Sequence, residues 1–390
     1  MIETAQRMRS FHTSVFMDLH ALKQEYEQKS GKSALDFSLG SPNIAPESSI
    51  MDVLSKAVLV PKNYRYAINP LPSMIKAIQD WYQKRYDVFL ESDEIALLQG
   101  SQEALINIPL IFCDPLDGVL VPDPYYPAYI DAPKLAGATI LYMPLRKENE
   151  YLIDFDQISE NDRKNAKIMI VCYPNNPTGA IAPDSFYTRL IQFAKENDIL
   201  VLYDNAYSEL VFEGKPGKSF LSFPGAKEVG VELNSFSKTY GMAGARLGVL
   251  VGNKDVIHQY KILKSNMDYG VFLPIQYAGI QALKHGGASI VKTREEYERR
   301  RDLLIQRFAN SGWTIPKSAA TMFLWAPIPA CYENSLEFSK QLLKQCGIIV
   351  TPGLSFGKEG ERYVRIALVV NEEQIEEAAK RIQEARSSLF

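Results

Sequence analysis

From about residue 95 onward, short apolar runs alternate with longer amphipathic stretches. "IALL" (95–98) has strand length, and "SQEALINIPLIF" after Gly100 has helical spacing. "GVLVPDP" ends as a strand in prolines, and "AKIMIVCYP" is a continuous apolar strand before the helical "DSFYTRLIQFAKEND", for which Asp184 is the expected N-cap. "ILVLYD", "VGVELN" and "LGVLVGN" are further strands. Continuous apolar strands alternating with helices predict an α/β protein with a mainly parallel sheet covered on both faces.

Beyond about residue 285 the pattern changes. A long charged helix, "SIVKTREEYERRRDLLIQRFANSG", precedes the strand-like "TMFLWAPI", "GIIVTPG" and "YVRIALVV". A final helix opens on Asn371 and Gln374 as a variant capping box. Near the start, Phe11, Val15, Leu19, Leu22 and Tyr26 recur at helical spacing without a sheet of their own. The expected organisation is a large domain over 46–285 and a smaller α+β domain built from 1–45 and 286–390.

Composition narrows the function. A net charge of −3 over 390 residues supplies no basic field for a nucleic acid. No apolar run of 18 residues exists, so no membrane partner is expected. The four cysteines and four histidines are scattered, without the spacing of a metal site, and the free thiols fit a cytoplasmic location.

In open α/β sheets ligands collect beyond the carboxyl ends of the strands. There "IALL" is followed by Gly100, Ser101 and Gln102, a helix start suited to an anion. "GVLV" leads to Tyr125 and Tyr126, "IMIVCY" to Asn175 and Asn176, and "ILVLY" to Asp204 and Tyr207. "VGVELN" leads into "SFSKTYGMAGARLG", which places Ser235 and Ser237 beside Lys238, itself eight positions before Arg246. Taken singly, each has a bland reading as turn chemistry, a helix cap or packing. Together they form an anion cradle, an aromatic plate, an acid, a lysine and an arginine. A phosphorylated aromatic aldehyde needs that set: a lysine for a Schiff base, a carboxylate for a pyridinium nitrogen, and donors for the phosphate. The cofactor implied is pyridoxal 5′-phosphate (PLP).

These blocks resemble, in order and spacing, the class I/II aminotransferases of PLP fold type I. The resemblance implies that Lys238 forms the Schiff base and shuttles the proton, while Ser101, Gln102, Ser235, Ser237 and Arg246 hold the phosphate. "YPNNPTG" and "YDNAYSEL" match the family's "NPTG" and "DExY" blocks. They give Asn176 and Tyr207 to the cofactor's phenolic oxygen and Asp204 to the ring nitrogen, although Asn205 replaces an acid. Tyr126 takes the ring-stacking position. "TPGLSFGKEGERYVRIAL" gives Arg365 to the substrate carboxylate, with Gly40 of "SLGSPN" beside it and Asn176 assisting.

Tyr66 of "NYRYAINPLP" corresponds to a tyrosine reaching the partner's phosphate, which implies a homodimer with shared active sites; Pro70 departs from that segment's usual glycine. Amino acids and 2-oxo acids are the implied substrates, exchanged in a ping-pong cycle. "LKSNMDYGVFLPIQYAGIQAL" is similar to the LL-diaminopimelate aminotransferase subgroup. The same contacts also suit a carbon–sulfur β-lyase of cystathionine type. A non-catalytic PLP-sensing module would need an attached DNA-binding domain. "EGKPGKS" is not a P-loop, because two residues separate its glycines where four are required.

Overall fold

Twelve strands form three sheets in the computed structural model, which describes residues 2–11 and 15–390, with the backbone alone at 15 and 16. They are β1 (Leu35–Asp36), β2 (Ile95–Leu98), β3 (Gly118–Asp123), β4 (Thr139–Pro144), β5 (Ala166–Val171) and β6 (Leu200–Asp204). They continue with β7 (Gly230–Ser235), β8 (Gly248–Gly252), β9 (Phe323–Pro327), β10 (Ile348–Ile349), β11 (Thr351–Pro352) and β12 (Tyr363–Ala367).

The principal sheet has the order β2-β8-β7-β6-β5-β3-β4. β4, β3, β5, β6 and β7 pair in parallel, while β8 runs antiparallel to both β7 and β2. Of the inner strands, β3, β7 and β8 are buried along their length and β5 at every residue but Lys167, as their largely apolar sequences require. One apolar core lies on each face. The first contains Leu97, Met169, Val201 and Val249, and the second Leu98, Ile170, Leu202 and Leu250. Successive residues of each strand thus enter opposite cores.

A third core joins Phe37 and residues 297–389 to Ala206, Tyr207, Leu210 and Phe212, which follow β6. Its sheet, β11-β12-β9, is antiparallel, and β1 pairs in parallel with β10. The first long helix, Val15–Ser30, packs Leu19 against Leu343 and Ile349, with Leu22 and Tyr26 alongside. Of the residues expected in that helix, Phe11 lies before it, and the Val15 side chain is outside the described residues.

The final helix has the expected Asn371/Gln374 capping box. The helix Asp184–Asn197 differs from expectation. Pro183, not Asp184, stands at its N-cap position, and Asp184 begins the first turn. Proline fixes the entry φ, so the Asp184 carboxylate is released to pair with Lys218. It still lies where an anion complements the helix dipole.

Candidate active site

Strand direction determines which loops meet. β2, β3, β5, β6 and β7 point their carboxyl ends to one sheet edge, and the reversed β8 begins there. Arg246, just before β8, therefore faces the loop after β2; Leu98 pairs with Gly248 in register. The backbones there are too close for side chains. A Cβ on Gly100 would come within 2.3 Å of the Arg246 guanidinium, and one on Gly248 within 2.9 Å of the Ser101 nitrogen. Gly100 also has φ +81°, which glycine adopts without strain.

The resulting cavity has a volume of about 380 Å³. On its walls lie Gly40, Ser101, Gln102, Tyr126, Asn176, Asp204, Tyr207, Ser235, Ser237, Lys238, Arg246 and Arg365. Residues separated by up to 325 positions thus converge; of the residues expected to touch cofactor or substrate, Tyr66 lies elsewhere, and Tyr125 and Asn175 are also off the cavity wall. Tyr66 is 76% exposed, with its ring 4.8 Å from that of Tyr269.

Lys238 sits in a short helix, Phe236–Thr239, capped by Ser235, whose hydroxyl accepts from the Ser237 N–H at 3.2 Å. The lysine is part-exposed to the cavity but has protein on nearly every other side. Its amine donates to the Gly40 carbonyl at 2.7 Å. Burial, then Arg365 and Arg246, push its pKa down to about 8, against the opposing pull of Asp204. A neutral amine is thereby available near physiological pH.

Asp204 ends β6 and is 5% exposed. Burial raises its pKa, while hydrogen bonds from the Tyr129 hydroxyl and the Ala206 N–H, and the charge of Lys238, pull it down. Tyr126 is half-buried, with its hydroxyl 3.5 Å from Gln102 Oε1. Burial raises the phenols of Tyr126 and Tyr207, so both stay protonated.

Asn175 and Asn176 diverge in role. Asn175 closes its own turn, accepting from the Thr178 hydroxyl at 2.7 Å and its N–H at 3.1 Å. Asn176 Oδ1 instead accepts from Arg365 at 3.0 Å. Arg365, 1% exposed, also donates to the Ser38 carbonyl at 3.1 Å. Its guanidinium carbon lies 4.1 Å from the Phe323 ring centroid and 4.6 Å from that of Phe356. Burial lowers its pKa to about 10, so it remains a cation. Asn205 is not on the cavity wall and donates to the Lys218 carbonyl at 2.9 Å.

Sequence reading passed over Tyr129, Ser38, Phe323 and Phe356. Tyr129 was visible as the third aromatic of "PYYPAY", but its pairing with Asp204 spans 75 positions. The aromatic pair around Arg365 left no local spacing signal.

The arrangement defines an electropositive cavity: three cations surround one acid, with an aromatic plate and backbone approach at Gly100. A phosphorylated aromatic aldehyde fits that donor set, as in the enzymes of PLP fold type I. Comparison with known proteins agrees. The family "Aminotransferase class I and II" matches residues 39–382. An LL-diaminopimelate aminotransferase of Halothermothrix orenii is 40% identical over 98% of each chain. The substrate-bound BacF structure from Bacillus subtilis superposes with a TM-score of 0.95 at 34% identity, covering 98% of both chains. A probable N-succinyldiaminopimelate aminotransferase from Thermus thermophilus gives 0.89 at 32% identity, over 95% of this chain and 100% of that one. The chain belongs to the class I and II aminotransferases, and is a PLP-dependent enzyme of amino-group transfer. Among the described residues no helix is long and apolar enough to cross a membrane.

Proposed function

We propose that this protein transfers the amino group of an L-α-amino acid to a 2-oxo acid by a ping-pong cycle, with LL-diaminopimelate the first donor to assay. The donor choice rests on relatives 37–40% identical over 97–98% of this chain that carry that name. The observation that carries the reaction is Lys238, held between Asp204 and two arginines with its pKa lowered to about 8.

Bound PLP supplies an aldehyde and a protonated ring that withdraws electrons. Ser101, Gln102, Ser235, Ser237 and Arg246 would hold its phosphate, and Tyr126 would stack on the ring. Asp204 would pair with the ring nitrogen, and Tyr207 and Asn176 with the phenolic oxygen. The planar fork of Arg365 would receive the substrate carboxylate beside Gly40, and the amine of Lys238 would remove the proton at the donor's α-carbon and, in the second half of the cycle, deliver one to the α-carbon derived from the oxo acid. A Cβ at Gly40 would lie 3.1 Å from Phe323 and 3.6 Å from Arg365, so glycine keeps that subsite open.

Tyr66 acts across a homodimer. Its exposure, with Tyr64 at 64%, Ile68 at 66% and Tyr269 at 55%, supports a covered surface there. Residues 46–285 form the cofactor domain, and 1–45 with 286–390 the smaller one. The free thiols Cys113, Cys172, Cys331 and Cys346 support a cytoplasmic enzyme.

The test is a screen of the purified holoenzyme against the common amino acids and LL-diaminopimelate, with 2-oxoglutarate as acceptor. Glutamate formation, and fixation of PLP to Lys238 by borohydride, are expected. Pyruvate and ammonia released from cystathionine without an acceptor would replace this reading by a β-lyase.

A further inference from the structure

Tyr129 lies in the first turn of the helix Ala128–Ala136 and is 1% exposed. Its hydroxyl donates to Asp204 Oδ2 at 2.8 Å. The other carboxylate oxygen accepts from the Ala206 N–H at 3.2 Å. The Tyr129 ring meets that of Tyr126 nearly at right angles, 84°, with centroids 5.6 Å apart. The ring belongs to the same apolar core as Leu105, Ile108 and Val121. A phenylalanine would fill that space equally well, so packing does not account for the hydroxyl.

We propose that Tyr129 is a positioning residue: its hydroxyl fixes the Asp204 carboxylate as an oriented anion, and its ring edge braces the plate Tyr126. Burial and the adjacent Asp204 push the Tyr129 phenol well above its ordinary range, so it serves as a donor and never competes for negative charge. The other groups facing Asp204 are Lys238, which favours its anion, and Tyr126, Tyr207 and Cys172. Burial holds those two phenols and the thiol in their neutral forms. Tyr129 is thus the side chain that satisfies the carboxylate on the face turned toward the core. The consequence for the cofactor rests on the assignment of Asp204 to the ring nitrogen; the Tyr129–Asp204 coupling does not.

Both parts are tested with Tyr129→Phe in the full-length protein. The hydroxyl stabilises the charged form of Asp204, whose pKa burial raises. Its removal raises that pKa further, so stability is lost where Asp204 is ionised and retained where it is protonated in both proteins. Without PLP, the melting temperature of Tyr129→Phe is expected to fall below wild type by roughly 2–4 °C at alkaline pH, a gap that closes in acid. In an Asp204→Asn background the pH dependence of that gap disappears. A gap of constant size at all pH values means packing alone and overturns the proposal. Replacing Tyr129 by 3-fluorotyrosine, a stronger donor of similar volume, moves the profile the opposite way, and supplies the test should Tyr129→Phe not fold. With PLP added, Tyr129→Phe is expected to raise the dissociation constant about tenfold, the scale of one hydrogen bond to a charged group. A pH-dependent gap with unchanged PLP affinity supports the coupling and overturns the assignment of Asp204 to the cofactor.

Discussion

Replacing Arg365 by alanine separates substrate recognition from cofactor retention. Arg365 is fully enclosed, with its guanidinium between Phe323 and Phe356 and tied to Asn176 Oδ1 and the Ser38 carbonyl at 3.0 and 3.1 Å. Four contacts thus orient the fork before any substrate arrives, so little ordering remains to oppose binding. A carboxylate docked there makes charge-assisted bonds screened from water. Losing one partner of such a pair costs about 2–5 kcal/mol, or roughly 30- to 5,000-fold in kcat/KM. Arg365→Lys retains the charge but not the planar fork, and it leaves the Asn176 and Ser38 acceptors without their present donor. An intermediate loss is expected.

The assay is steady-state kcat/KM for several α-amino acids, alongside PLP affinity by absorbance titration. Every donor should lose efficiency by a similar factor, because all share the carboxylate, while PLP stays bound through Arg246 and the serines. Truncation also empties the slot between the two rings, so the melting temperature should fall by a few degrees and kinetics are measured well below it. Loss of PLP affinity with kcat/KM preserved would refute the reasoning and exchange the roles of Arg365 and Arg246.

Three further outcomes follow from the same geometry. Asp204→Ala should slow deprotonation at the substrate α-carbon by roughly 30- to 5,000-fold and Asp204→Glu less, measured as kcat with α-deuterated donors; equal rates in wild type and Asp204→Ala would remove the acid from the mechanism. Burial depresses Lys238 from 10.5 to about 8, so in the PLP-free protein its charge costs stability fully below about 8, and the cost vanishes above 10.5. Lys238→Met should therefore be more stable than wild type near neutral pH by on the order of 2–3 kcal/mol, with the gap closing as pH rises through that window; a gap independent of pH in denaturant titrations would contradict it. Mixed dimers reassembled from Tyr66→Ala and Lys238→Ala subunits should regain activity at limiting PLP, since one of their two sites would carry both native residues. No gain in dimers verified as mixed would remove Tyr66 from the shared site.

The sheet was legible because burial on both faces erases the period-two alternation and leaves short unbroken apolar runs between amphipathic helices. Strand direction was not legible, because an apolar run such as "LGVLV" reads the same whichever way it lies in a sheet. Yet the reversal of β8 makes the site coherent. The connection from Ser235 to Gly248 holds only the one-turn helix Phe236–Thr239 and the 3₁₀ turn Ala243–Ala245, with no helix that crosses the sheet, and the chain turns back beside β7. That turn holds Lys238 and Arg246 at the same edge, and the pairing of β8 with β2 then brings Arg246 against Gly100.

The residues found in advance occupy loops where chemistry and local sequence coincide: "SFSK", "YPNNP" and "YDNAY". Those missed act through partners remote in the chain. The Ser38 carbonyl accepts from Arg365 across 327 positions. A backbone oxygen has no sequence signature at all. Tyr129 lay inside a quoted motif, but its hydroxyl gains meaning only when the helix Ala128–Ala136 is laid beside the end of β6. Loop chemistry therefore identifies the groups that line the cavity, whereas the groups that aim them are determined by the packing of the sheet.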